Sequence, residues 1–130
     1  MLSKPYWVMT WTVRFHPDFA AEFRELPSAV RVEMAAAAGL LEGRGPLLGR
    51  PHVDTLSGSR HANMKELRFR SDGGVWRVAF AFDPSRHAIL LVAGDKSGVS
   101  SGLFYRRLID LADRRFEMHL RNLRQGGERQ

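Results

Sequence analysis

Apolar and polar residues alternate across residues 6–15, with Trp7, Met9, Trp11, Val13 and Phe15 on one side and Val8, Thr10, Thr12 and Arg14 on the other. That period of two predicts a strand with one heavily apolar face. Pro17 and Asp18 suit a helix start, Phe19, Phe23 and Leu26 follow at helical spacing, and Pro27 ends the segment. Ser28 is placed to cap a second helix whose apolar side is Val30, Met34, Ala37, Ala38 and Leu41, stopped by Gly43-Arg44-Gly45-Pro46. Residues 47–62 read as connecting chain, with a short strand at 52–56 and an exposed turn at Gly58-Ser59-Arg60-His61.

Two more alternating runs follow. In residues 64–70, Lys65, Leu67 and Phe69 oppose Met64, Glu66, Arg68 and Arg70; in residues 75–82, Trp76, Val78, Phe80 and Phe82 oppose Val75, Arg77, Ala79 and Ala81. Asp72-Gly73 between them is a two-residue hairpin signal. That turn pairs Ser71 with Gly74 and sets Arg68 directly opposite Arg77. Like charges facing each other across a sheet repel, so an anion such as Glu66 or a bound phosphate is expected between them. Asp83-Pro84-Ser85-Arg86 is a second turn. Residues 88–93 are apolar on both faces and read as an interior strand. From about Ser101 to Leu123 a stripe of Leu108, Leu111, Ala112, Phe116, Leu120 and Leu123 defines an amphipathic, arginine-rich helix. Residues 125–130 read as a frayed, flexible tail.

The order strand, helix, helix, short strand, three strands, helix predicts an α+β fold: a small, mostly antiparallel sheet with two N-terminal helices and a C-terminal helix. With the helices covering one face, the other is expected to be an open basic face carrying Glu66, Arg68, Arg70 and Arg77, with Ala79 and Ala81 leaving room for a ligand.

The 130 residues fit one domain, and a hydrophobic fraction of 44% supports a real core. Twenty basic against fourteen acidic residues leave a net charge of +6, mostly arginine, which suits a polyanionic partner as well as a merely basic surface. The absence of cysteine removes thiolate chemistry, disulfides and cysteine-ligated zinc. The histidines show no metal-ligand spacing, so neither metal nor cofactor is expected. No apolar run approaches the roughly 20 residues of a membrane span, and the N-terminus lacks a signal-peptide pattern; a cytoplasmic location is expected.

The strings MKELRF, WRVAFAFDP, AILLVAGDKSG and FYRRLIDLAD, preceded by GPLLGRPHVDTLSGSRHANMKELR, resemble toxins of the RelE/ParE superfamily, in the HigB-like, phage-derived branch of type II toxin–antitoxin systems. The resemblance implies a single toxin domain over residues 1–124 with a RelE-like fold. It implies metal-independent cleavage of mRNA on the ribosome, and neutralisation by a helix-turn-helix, HigA-like antitoxin. The superfamily also contains toxins that bind DNA gyrase without cutting RNA, and a basic accessory domain is a third reading.

By the same resemblance, catalytic positions fall on Lys65, Glu66, Arg68, Arg77, Lys96 and Tyr105. Arg68 and Arg77 suit a phosphate clamp, or ion pairing with Glu66; Glu66 suits a base or their charge partner. Lys96 follows an interior strand, and Tyr105 can stack, donate its hydroxyl or pack. Lys65 shares a face with Leu67 and Phe69, which argues against it. Arg60, His61, Arg70, Arg106 and Arg107 are expected RNA contacts. His16, His52 and His87 read as turn or surface residues.

Overall fold

A computed structural model describes residues 11–128. Its elements are β1 (Thr12–Phe15), α1 (Pro17–Arg24), α2 (Ser28–Arg44), a 3₁₀ turn (Gly45–Leu47), β2 (Val53–Thr55), β3 (Lys65–Ser71), β4 (Gly74–Phe82), β5 (His87–Asp95) and α3 (Ser101–Glu128). The five strands form one sheet in the order β1-β5-β4-β3-β2. Only β1 and β5 run parallel; the other pairings are antiparallel. The first strand is described from Thr12, and the expected strand residues 6–10, with Trp7 and Met9, lie outside the described residues.

The hairpin between β3 and β4 forms as its turn signal predicts. Asp72 and Gly73 take φ of 52° and 79°, the paired positive values of a turn whose twist matches that of strands. The register follows: Ser71 faces Gly74 and Arg68 faces Arg77. At the other end of β4, Asp83 N–H bonds the His87 carbonyl at 2.8 Å across the Pro84-containing turn.

The sheet is covered on both faces, which corrects the expectation of an open floor. One core joins Phe19, Val30, Met34 and Leu41 of α1 and α2 to Leu67, Val78, Phe80 and Leu90 of the sheet. The second joins Phe104, Leu108, Ala112 and Phe116 of α3 to Met64, Ala79, Ala81, Ile89 and Leu91. The small side chains of Ala79 and Ala81 make room for the bulky stripe of α3, not for a ligand. With α1 and α2 occupying the first face, that stripe can leave water only on the second. A bulge in β5 serves this packing. Ala79 pairs with Val92 and Phe80 with Leu90, so Leu91 is the extra residue, and both Leu91 and Val92 enter the α3 core.

Three details differ from the sequence expectation. Pro27, not Ser28, is the N-cap of α2, and no side chain caps it. Residues 125–128, expected as tail, continue α3 to Glu128. His16 is not a surface residue: it is 3% exposed, and its Nδ1 accepts the Asp18 N–H at 3.1 Å to cap α1. A cap made by a ring nitrogen requires that nitrogen to be unprotonated. Burial pushes the His16 pKa below its ordinary value, with the nearby positive charge of Arg115 adding to the effect.

α1 and α3 lie on opposite faces, yet Arg115 ties them. It is 7% exposed, donates to both Glu22 carboxylate oxygens at 2.8 and 2.6 Å, and donates to the Leu91 carbonyl at 2.8 Å. A second tie joins α3 to the β4–β5 turn. The Asp83 carboxylate meets His119 Nε2 at 2.8 Å and His87 Nδ1 at 3.2 Å, and accepts the Ser85 and His87 N–H groups. Burial works to raise the Asp83 pKa, but the bonds from His119 and His87 more than offset it and hold it below the ordinary 3.8.

Gly94 lies opposite Arg77, and a Cβ there would come 2.9 Å from the Phe104 ring. Its bare backbone lets the first turns of α3 approach β5 and brings Tyr105 beside Arg77. Gly94→Ala is expected to destabilise the fold by about 1–3 kcal/mol through overpacking. Gly39→Ala, in the interior of α2 with nothing within 4 Å, is expected to stabilise it by about 0.5–1 kcal/mol. Urea titration of both variants measures the contrast.

Acidification is expected to weaken the fold in two stages. A group whose folded pKa is depressed takes up protons more readily when unfolded, so stability falls as pH drops. His16 acts as pH falls below its ordinary 6.5, and Asp83 as pH falls below 3.8. His16→Asn keeps a capping acceptor and should remove the upper stage; Asp83→Asn should flatten the lower one. Denaturant midpoints measured from pH 8 to pH 3 test both.

Candidate nucleic-acid site

The hairpin register drives two guanidiniums together, and a single carboxylate oxygen holds them. Arg77 Nε lies 2.9 Å from Glu66 Oε1, and Arg68 Nε lies 3.6 Å from the same atom. The Tyr105 hydroxyl, arriving from the second turn of α3, donates to that oxygen at 2.9 Å and accepts from Arg77 Nε at 3.3 Å. Arg77 Nη1 is fixed further by the Trp76 carbonyl at 3.0 Å. Glu66 and Arg77 are 6% and 7% exposed, whereas the Arg68 side chain is 32% exposed. Arg77 is therefore held rigidly, and Arg68 presents charge to solvent. Arg68 Nε itself is buried without a hydrogen-bond partner.

Lys96 completes the cluster. Asp95 Oδ1 accepts the N–H groups of Val75 and Ser97, each at 3.0 Å, and is also bonded by the Ser97 hydroxyl. The Lys96 N–H bonds the Val75 carbonyl at 2.8 Å. This turn sets Lys96 Nζ 5.4 Å from the centre of the Tyr105 ring. Burial of Tyr105, with the negative charge of Glu66, pushes its pKa above the ordinary 10.0, against the opposing influence of Arg77. At neutral pH it is a phenol, able to donate a proton in a hydrogen bond but not to act as a resting phenolate.

A trough runs past the cluster as three confluent hollows. One, about 380 Å³, is lined by Pro51, His52, Arg68, Phe69, Arg70 and Arg77. Next comes one of about 320 Å³ that includes Asp54, Ser57, Glu66, Arg68 and Tyr105. The third, about 420 Å³, shares Ser57 and Tyr105 and extends to Arg60, Arg106 and Asp113. Arg68 separates the first two.

Of the sequence candidates, Glu66, Arg68, Arg77, Lys96 and Tyr105 converge, and Arg70 and Arg106 border the trough. Lys65 does not join them. It occupies an odd position of β3, on the α1–α2 side with Leu67, opposite to Glu66. Arg60 and His61 are not free to meet a ligand. Arg60 grips both Glu117 oxygens at 3.0 Å, His61 Nε2 lies 3.1 Å from Glu117, and the Arg60 N–H bonds Asp113 at 2.9 Å. Those contacts, led by the Arg60 bond, hold the Glu117 carboxyl below its ordinary pKa and pin the loop to α3. Arg107 lies on the other flank of α3, beside Val92, Val99 and Leu111.

Two residues that sequence reasoning passed over matter here. His52 borders the trough because its carbonyl accepts the Arg68 N–H at 2.8 Å, a pairing only the β2–β3 register reveals. Asp95 fixes the Lys96 loop; the Asp-Lys-Ser string is a readable side-chain turn signal. Among the described residues, no cluster of three or more histidines, aspartates or glutamates is arranged to hold a metal ion, and no helix is long and apolar enough to cross a membrane.

Residues 21–117 match the family described as phage-derived protein Gp49-like. Two Mycobacterium tuberculosis proteins designated as toxins are similar. HigB3 is 42% identical over 111 residues, covering 85% of this chain and 95% of its own length. HigB2 is 52% identical over 86 residues, which cover 65% of this chain; the chain spans only 42% of the length of that relative. Among solved structures, a mutant E. coli toxin RelE in the free state superposes with a TM-score of 0.56 at 15% identity, over 78% of this chain and 95% of RelE. The toxin–antitoxin complex RelBE2 of M. tuberculosis gives 0.51 at 20% identity, over 67% of this chain and 92% of the matched one. The chain thus belongs to the phage-derived Gp49-like family, is HigB-like in sequence, and has the RelE fold.

Proposed function

We propose that this protein is the toxin of a type II toxin–antitoxin pair and a metal-independent endoribonuclease that cuts mRNA on the ribosome. The observation that carries the reading is the convergence of Arg68, Arg77 and Tyr105 along an open trough, with Lys96 beside the Tyr105 ring. The similarity to HigB2 and HigB3 supports the toxin role. The toxin–antitoxin complex among the structural neighbours supports an antitoxin partner, for which a helix-turn-helix, HigA-like protein is the natural candidate. Ribosomes and mRNA place this activity in the cytoplasm.

In such a reaction the 2′-oxygen attacks the adjacent phosphorus, the bond from phosphorus to the 5′-oxygen breaks, and a 2′,3′-cyclic phosphate and a 5′-hydroxyl result. The 2′-hydroxyl loses its proton and the departing oxygen gains one. Negative charge builds on the phosphoryl oxygens in between, and fixed donors there stabilise the transition state more than the ground state. Arg77, locked by Glu66 and Trp76, is pre-aimed for this role, and Arg68 and Lys96 add charge from the solvent side. Glu66 positions the two arginines, and Tyr105 offers a neutral O–H donor.

Arg77→Ala is expected to lower cleavage about 10²–10³-fold, the usual loss for one such donor. Arg68→Ala should weaken it similarly while changing stability by less than about 1 kcal/mol, since its ion pair is long and partly exposed. Glu66→Ala strips the charge partner from a buried arginine and is expected to cost about 3 kcal/mol of stability. The deciding experiment is induced expression in bacteria with mapping of mRNA 5′ ends, beside the Arg68→Ala/Arg77→Ala double variant. Cuts within translated codons that vanish in the folded variant establish the nuclease and its site. Growth arrest without such cuts would overturn the reading.

A further inference from the structure

The trough differs in charge on either side of Arg68. The hollow at the β3 edge carries three arginines and His52, and among the described residues no carboxylate lines it. On the other side the lining is mixed: Asp54 and Glu66 stand first, then Asp110 and the buried Asp113 beside Arg60 and Arg106. The floor of the cationic arm is also unusual. β2 pairs with β3 only from Lys65 to Leu67, with one further bond from the Arg68 N–H to the His52 carbonyl. Backbone groups alternate in direction along a strand, so the Arg70 N–H turns to the same side as that of Arg68. No described strand follows there. Arg70 thus offers an exposed guanidinium and an unclaimed backbone N–H in one place, two residues or about 7 Å along the strand from Arg68. That step is comparable to the spacing of successive phosphates in an extended strand.

We propose that this arm is a second phosphate site, built by Arg70 with His52, for the phosphodiester immediately 3′ of the one that is cut. The assignment rests on the nuclease reading and fixes the direction of the RNA strand. The 2′-hydroxyl that must lose a proton belongs to the nucleotide on the 5′ side of the scissile phosphate, and the carboxylates stand on that arm. The departing 5′-oxygen gathers negative charge and belongs to the 3′ side, where, among the described residues, arginines and no carboxylate line the arm. Reversing the strand would place the downstream phosphate beside Asp54, whose carboxylate is already held by Arg50, and would leave the Arg70 guanidinium without a phosphate.

The test is single-turnover cleavage of mRNA programmed on ribosomes, with one neutral methylphosphonate placed immediately 3′ or immediately 5′ of the cut. A 3′ methylphosphonate should lower kcat/KM for the unmodified protein about 10-fold, the scale of one lost charge-assisted hydrogen bond. Arg70→Ala should lose about as much on ordinary mRNA, and the 3′ methylphosphonate should add nothing further to that variant. Losses from the 5′ substitution instead, or an Arg70→Ala protein as active as the parent, would overturn the second site while leaving the nuclease standing. Failure of the unmodified protein to cleave any mRNA would overturn the nuclease reading and the second site together.

Discussion

Two arginines face each other across β3 and β4 because a two-residue turn leaves no other register, and one oxygen of Glu66 makes that arrangement tolerable. Without the turn, the cross-strand pair would not form; without the carboxylate, it would repel. The fold thereby brings paired positive charge to one point of the sheet and holds one member, Arg77, almost immobile. Tyr105 is drawn to the same oxygen from α3, so the helix and the hairpin are registered against each other by the group that organises the site.

The rest of the architecture protects this arrangement while leaving one side wet. α3 covers the alanine floor of the sheet, and the gap left by Gly94 lets it sit close. Arg115 and Asp83 anchor the far half of the helix, one through Glu22 and Leu91, the other through His119. Arg60 and Glu117 hold the intervening loop against it. Several basic residues that look available for RNA are thus spent on holding the helix in place. The cations left for the site are those on β3, on β4, at the start of α3 and, beside Tyr105, Lys96 of the β5–α3 loop.

Much of the fold was legible because its signals are local. The hairpin register rested on Asp72-Gly73, the helix limits on Pro17, Pro27 and the Gly43–Pro46 stop, and α3 on its leucine and phenylalanine stripe. The convergence of Arg68 and Arg77 followed from the register alone. The covering of the second face is not legible in this way, because alternation reports which residues share a face, not which helix will lie over it. Lys65 shows the strength of the same signal: its odd position on β3 excluded it from the cluster, against its place in a familiar string. Arg60 and His61 could not be judged, since their partner Glu117 lies more than 50 residues away in the chain.

The sequence by itself determined the strands and helices, the α+β class, the family and the facing arginines, all of which depend on neighbours in the chain or on a short turn. Only the tertiary structure decided that both faces are covered and the trough lies open, which cations face it, and where His52 and Asp95 stand relative to the arginines. Those outcomes depend on contacts between segments far apart in sequence. The energy that selects them is the burial of the α3 stripe and the pairing of charges it brings together, and no local pattern encodes it.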